Sequence, residues 1–317
     1  MSQSKVDLSN FVNGQHQGRH KAARQIYESL RQHGFVILEN HGLTNEDVSK
    51  IFEYSRAFFN LPLIVKDTVL HRAGPTPQRG WSKVGDEDSS ALYRNGFLGQ
   101  GKVEGLSEFR EHFDMDSGRD GTFQNKFPDP DALPGFQDSM MKTFAAMEII
   151  CQQILEALEV AMGLEAGLFR DMCTQSASAS EFRMTRYPPI PKASIETGKD
   201  GVGGLEFQDR DAGAGERFKP VACDRSTDLI VNVSETLQRW TNDHLRAGLH
   251  RVVAPAGDKR GGDLDILPER FSVAYFCKAD KNVNVGPLAP FLLAEPAKYK
   301  DITALEYHQQ RLASAYS

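Results

Sequence analysis

Apolar positions along the chain follow two rhythms, one of three to four residues and one of two, and their alternation sets out the expected elements. Residues 6 to 11 read as a short strand and turn. Lys21–Gln32 carries Ala22, Ile26, Tyr27 and Leu30 at helical spacing, and Gly34 follows where a C-cap belongs. Phe35–Leu38 is an apolar strand, and Asn40-His41-Gly42 a turn. A second helix, begun by Leu43-Thr44-Asn45, carries Val48, Ile51, Phe52 and Phe58 and stops before Pro62. Gln137–Met162 gives the clearest helical pattern, with Met141, Phe144, Met147, Ile150, Ile154, Leu155 and Leu158 on one stripe and Gly163 to close it. Its methionines read as core filling.

Beyond the long helix the rhythm shortens. Phe182–Tyr187 is a strand that ends in Pro188-Pro189. Leu229–Val233, Leu249–Val253 and Phe271–Phe276 are further strands, Leu237–Trp240 a tight turn or short helix, and Thr303–Ala313 a last helix. Residues 71 to 120 are polar and rich in glycine, Arg210–Arg217 is a hydrophilic turn, and Asp263–Pro268 reads as an enlarged surface loop. No repeat or linker divides the chain, so a single structural unit is expected.

Composition narrows the class without naming a chemistry. At 317 residues, with 40% hydrophobic and 25% charged residues, the chain can bury a large core. A formal charge of −6 and the lack of a basic block give no support for a nucleic-acid or anionic-membrane partner. Cys151, Cys173, Cys223 and Cys277 are widely separated with no C-x-x-C pair, which suits reduced thiols better than a disulfide framework or zinc knot. No apolar stretch of signal-peptide or transmembrane length is present, and a cytoplasmic location is the expectation.

Three places carry candidate chemistry. His112-Phe113-Asp114 is the one His-x-Asp in the chain, a spacing that can offer an imidazole and a carboxylate to a metal. Arg270-Phe271-Ser272 lies on a strand whose alternation puts guanidinium and hydroxyl on one face, a pairing suited to a carboxylate. His250 opens the strand that ends at Val253. His41 is read as hydrogen-bonded within its turn.

Taken in order, Asn40-His41-Gly42, Arg79-Gly80-Trp81, Tyr187-Pro188-Pro189, Gly203-Gly204-Leu205, Trp240-Thr241-Asn242, His250 and Arg270-x-Ser272 resemble the non-haem iron(II), 2-oxoglutarate-dependent dioxygenases, in the subfamily that includes isopenicillin N synthase. The resemblance runs from Val6 to about Leu312. It implies a distorted double-stranded β-helix, or jelly roll, with an α/β N-terminal region over residues 1–120 and a long helix backing the core over 121–317. It further implies that His250 is an iron ligand, that Arg270 and Ser272 hold the distal carboxylate of 2-oxoglutarate, and that Tyr187 faces the co-substrate. Thr185 takes the place of a frequent asparagine. Within the resemblance His112-Phe113-Asp114 matches a glutamate, aromatic, aspartate segment of the N-terminal part rather than the ligand motif.

One segment of the family is missing. About fifteen to twenty residues that would bring the first iron histidine, an aspartate two residues on and a run of leucines are not found between Tyr187 and Gly203. The resemblance therefore implies a degenerate homologue, a non-catalytic structural or regulatory subunit that forms a heterodimer with an active homologous dioxygenase in fungal secondary-metabolite biosynthesis. On this reading neither iron(II) nor 2-oxoglutarate is held tightly by the chain, and both belong to the partner. The alternative is an active oxygenase with a rebuilt metal site that hydroxylates, desaturates or rearranges a small molecule.

Overall fold

The computed structural model describes residues 5–72, 76–86, 109–174, 179–191, 204–210, 218–253 and 266–315. Strand β1 (Lys5–Asp7) leads into helices α1 (Ser9–Val12) and α2 (His16–His33), then β2 (Phe35–Glu39), α3 (Asn45–Phe59) and α4 (Leu63–Asp67). Strands β3 (Gly80–Ser82) and β4 (Glu111–Met115) precede the long helix α5 (Phe136–Met162). After it come β5 (Glu181–Tyr187), β6 (Ile190–Pro191), β7 (Gly204–Gln208), β8 (Phe218–Pro220), β9 (Leu229–Asn232), α6 (Glu235–Trp240), β10 (His250–Val253), β11 (Ile266–Leu267), β12 (Arg270–Phe276) and α7 (Ala304–Ala315).

The helices form where the sequence supplies both an apolar face and an end. Helix α2 begins five residues before the expected Lys21, because its first turn is polar and leaves no apolar signal. It ends at Gly34, whose φ of 75° returns the N–H to the Leu30 carbonyl. A side chain there would meet Nη2 of Arg210 at 2.7 Å and Cα of Gly248 at 2.8 Å, so the position needs glycine twice over. Helix α3 is started by a capping box between Thr44 and Asp47.

Helix α5, 27 residues and about 40 Å long, joins two apolar clusters. Its first half gives Phe136, Met140 and Phe144 to a cluster with Phe58, Phe113, Phe182 and Met184. Its second half gives Ile150, Ile154, Leu155 and Leu158 to another with Ile26, Leu30, Phe169 and Trp240. Each fully buried phenylalanine here contributes on the order of 2 kcal/mol. Trp240 packs into the core, stacked 6.1 Å from Phe169 with its Nε1 donating to the Asn284 carbonyl at 3.0 Å.

Four sheets among the described residues complete the architecture. One is antiparallel in the order β12-β5-β4-β3, a second runs β10-β7-β8, and β11 pairs with β6. The fourth, β1-β2-β9, brings the N-terminal residues against a strand from the far end of the sequence. Among the described residues none closes into a true barrel, and the arrangement is a distorted double-stranded β-helix backed by a long helix. The polar stretch expected over 71 to 120 contains β3 and β4, and β4 is buried along its whole length because its charged residues are paired inside the fold. Within the expected surface loop Asp263–Pro268, Ile266 and Leu267 form a strand against β6.

Candidate functional site

Register across β5 and β12 sets Arg270 opposite Tyr187 and Ser272 opposite Thr185. Alternation puts these four side chains on one face, while Phe271, Val273 and Met184 turn to the Phe58 cluster on the other. The Arg270 guanidinium carbon lies 5.4 Å from the Tyr187 ring centroid, a cation–π distance. Its Nη1 is buried and has no hydrogen-bond partner among the described residues. A buried donor without an acceptor costs on the order of 1 to 3 kcal/mol, more when charged, and a carboxylate is the group that suits it. The expected residues Arg270, Ser272 and Tyr187 thus stand on one face of the β5–β12 pair.

His250 opens β10 opposite Phe207 of β7, exposed, with the Phe35 ring edge-on at 5.8 Å. Its Nδ1 lies 2.9 Å from the Gly248 carbonyl, which can only accept. Nδ1 is therefore the protonated nitrogen, and the lone pair is on Nε2, the tautomer a metal ligand needs. What it needs next is company. Among the described residues no three His, Cys, Asp or Glu side chains form a group able to hold a metal ion.

The other candidates are engaged elsewhere. His112 and Asp114 are almost fully buried within β4, with Nε2 and Oδ2 3.3 Å apart, and Oδ1 accepts from Nε of Arg183 at 2.8 Å. His41 does not bond within its turn as expected, since the contact of its Nε2 is with the Thr227 carbonyl at 2.7 Å, 186 residues away. His16 pairs with His20 on α2, His244 with Phe291, and Asp209 with Lys219 at 2.6 Å. Asp200, Asp211 and Gly203 lie outside the described residues. A facial iron site takes two imidazoles and a carboxylate converging on one ion, and the described residues do not fit it.

Sequence reading missed a buried charge cluster on the same sheet. Glu181 accepts from Nη1 of Arg79 at 2.8 Å and from Nζ of Lys278, with Nε2 of His308 at 3.9 Å. Arg79 reaches Asp116 at 2.8 Å through its other nitrogen. Burial alone would raise the Glu181 carboxyl, but the charges of Lys278 and Arg79 hold it far below the carboxylate range. Burial and then Lys278 push His308 down to about 3, so its imidazole is neutral. Arg79 was visible in the sequence only as part of Arg79-Gly80-Trp81; Glu181, Lys278 and His308 come from segments with no motif.

Residues 4–130 match the model of the non-haem dioxygenase in morphine synthesis N-terminal region, and residues 171–279 that of the 2OG-Fe(II) oxygenase superfamily. The chain is 37% identical to the 2-oxoglutarate-dependent dioxygenase ucsF of an Acremonium species, over 98% of each chain. It is 36% identical to the 2-oxoglutarate-dependent dioxygenase ecdK of Aspergillus rugulosus over the full length of both. That alignment runs over 337 positions against 317 residues, so this chain has nothing opposite at least 20 positions of the relative. The crystal structure of a full-length Neurospora crassa protein in complex with alpha-KG superposes with a TM-score of 0.81 at 24% identity, covering 98% of this chain and 96% of that one, a likeness of fold.

Proposed function

Because the chain belongs to the 2OG-Fe(II) oxygenase superfamily, we propose that it is a degenerate member, of the isopenicillin N synthase-like kind, that serves as a non-catalytic subunit of an active homologous dioxygenase in a cytoplasmic secondary-metabolite pathway. The observation that carries this reading is His250, a family ligand in the correct tautomer for which the described residues supply no second or third donor. Iron, where an oxygenase holds it, supplies the oxygen chemistry; this chain's own residues do something narrower. Arg270 donates through Nη1 to a carboxylate, Ser272 adds a hydroxyl on the same face, and Tyr187 walls the guanidinium. The chain binds a carboxylate ligand and does not oxidise it.

The strands on which these residues stand favour a partner. Among the described strands β12 and β10 end their sheets, and they are only half covered, whereas the inner strands β4 and β5 are mostly buried. Val252 is 44% exposed, Ile266 55% and Phe276 40%. Unpaired edges with exposed apolar residues invite another chain to pair. The N-terminal region and the jelly roll act as one unit in this reading, since β2 pairs with β9 and α5 packs in both apolar clusters.

Coexpression with a homologous dioxygenase from the same source, followed by size-exclusion chromatography with light scattering, tests the assignment. A stable complex of the two chains is expected. A monodisperse monomer that stays apart from the homologue would overturn it.

A further inference from the structure

Arg31, Arg210 and Arg246, from distant parts of the chain, gather where the end of α2 meets the segment that leads into β10. The approach is close because both sides are glycine: a side chain on Gly248 would meet the Phe35 ring at 2.5 Å and the Gly34 carbonyl at 2.6 Å. The Arg210 guanidinium fastens the two segments together. Its Nη1 donates to the Arg31 carbonyl at 3.4 Å, and its Nη2 to the Arg246 and Ala247 carbonyls at 2.8 and 2.7 Å. The side chains of Arg31 and Arg246 line one cavity of about 260 Å³. Other residues around this cavity are held rigidly. Asn242 and Asp243 are successive non-glycine residues in the left-handed region, with φ of 48° and 73°, a conformation kept only where the surroundings enforce it. Asn242 Nδ2 donates to the Pro296 carbonyl at 3.1 Å, and its Oδ1 accepts the Lys298 N–H at 2.9 Å. Gln238 ties the Arg246 side to this turn, its Oε1 accepting the Ala247 N–H at 2.6 Å and its Nε2 donating to Asp243 at 3.0 Å.

The charges at the cavity do not balance. Asp243 and Glu295 line it too, but Lys298 reaches them at 3.5 and 2.8 Å. Arg31 and Arg246 are exposed, and neither side chain has a hydrogen-bond or ion-pair partner among the described residues. Arg31, in the last turn of α2, complements the helix dipole; Arg246 has no helix end to complement. Burial and then the Arg246 charge push the half-buried Arg210 down to about 10, so the cluster repels itself. An anion between the arginines relieves that repulsion.

We propose that this cavity is an anion site for the phosphate group of a small phosphorylated molecule, held between Arg31 and Arg246. The site shares no residue with the Arg270 face. A guanidinium makes a two-pronged contact with an oxyanion, and two of them suit a phosphate, whose three free oxygens reach both forks. A carboxylate, with two oxygens, fills one. The cavity is smaller than the roughly 300 to 1,000 Å³ of sites that enclose a whole small molecule, so it takes the phosphate while the remainder of the ligand extends over the exposed rim. Arg210 acts as a positioning residue, since its guanidinium is occupied by the backbone carbonyls of the two segments that present Arg31 and Arg246.

Isothermal titration of the full-length chain with inorganic phosphate, and in parallel with acetate at the same ionic strength, tests the site. Saturable phosphate binding is expected, with acetate bound about tenfold or more weakly. Arg31→Ala and Arg246→Ala are each expected to weaken phosphate binding by about tenfold or more, the loss of charge-assisted hydrogen bonds. Both variants are expected to keep the circular dichroism of the wild type, since neither side chain has a partner in the described fold. Lys300→Ala, an exposed charge outside the cavity, is the control and is expected to change nothing. Phosphate binding that does not saturate, that survives both arginine substitutions, that falls as much with Lys300→Ala, or that acetate matches would overturn the assignment.

Discussion

Replacing Glu181 with glutamine removes one negative charge from the interior and keeps the shape of the side chain. Arg79 still has Asp116 at 2.8 Å. Lys278, whose carboxylate partner here is Glu181, is left with His308 at 3.3 Å and no other carboxylate at ion-pair distance among the described residues. Breaking a buried pair on one side costs about 3 to 5 kcal/mol because the remaining ion stays desolvated, and Glu181 is only 3% exposed. That is a third or more of the stability of an ordinary domain, on the order of 10 kcal/mol. The sign of the pH dependence follows. Burial already depresses Lys278 despite Glu181; without the carboxylate it falls further, so the unfolded chain binds more protons than the native one as pH rises. Variant stability then rises relative to wild type by up to about 1.4 kcal/mol for each pH unit in which only the native lysine is neutral. Urea denaturation at pH 7 and pH 9 measures both. A loss of about 3 to 5 kcal/mol at pH 7 that shrinks at pH 9 is expected; a loss below about 1 kcal/mol, or one that does not change with pH, would refute the reasoning.

Two serines provide a contrast in sign. Ser82 is fully buried and its Oγ has no hydrogen-bond partner among the described residues, so Ser82→Ala is expected to stabilise by about 1 kcal/mol. Ser29 donates to the Phe35 carbonyl at 2.7 Å, and Ser29→Ala is expected to destabilise by about 1 to 3 kcal/mol in the same denaturation assay. His308, neutral in the fold with its pKa pushed down to about 3, is protonated on unfolding below about pH 6.5. Stability that it permits is therefore lost as pH falls, by about 2 kcal/mol between pH 6.5 and 5. His308→Gln is expected to flatten that part of the pH–stability curve, and an unchanged slope would count against a buried neutral imidazole.

Local pattern revealed most of the scaffold. The stripe of α5 and the strands around Val231 and Phe271 were legible because one face of each element meets apolar neighbours and the spacing records it. The start of α2 was not, since residues 16 to 20 carry no apolar side chain to mark a face. Strand β4 was hidden for the opposite reason: Glu111, His112 and Asp114 read as surface, yet Lys66, Arg186 and Arg183 pair with the two carboxylates inside the fold. Arg270 and Ser272 were readable as a pair because strand alternation fixes their common face. The meeting of Arg79, Glu181 and Lys278 was not, since it depends on three segments whose mutual placement no spacing encodes. A missing segment could be noticed only through family resemblance, because no spacing within the chain records residues that are not there.

Anaerobic titration of the purified chain with iron(II), followed by metal analysis after desalting, tests most directly whether His250 stands alone. Iron far below one equivalent, unchanged by His250→Ala, is the expected result. One tightly held iron per chain that is lost on His250→Ala would contradict the account and return the chain to the catalysts of its family.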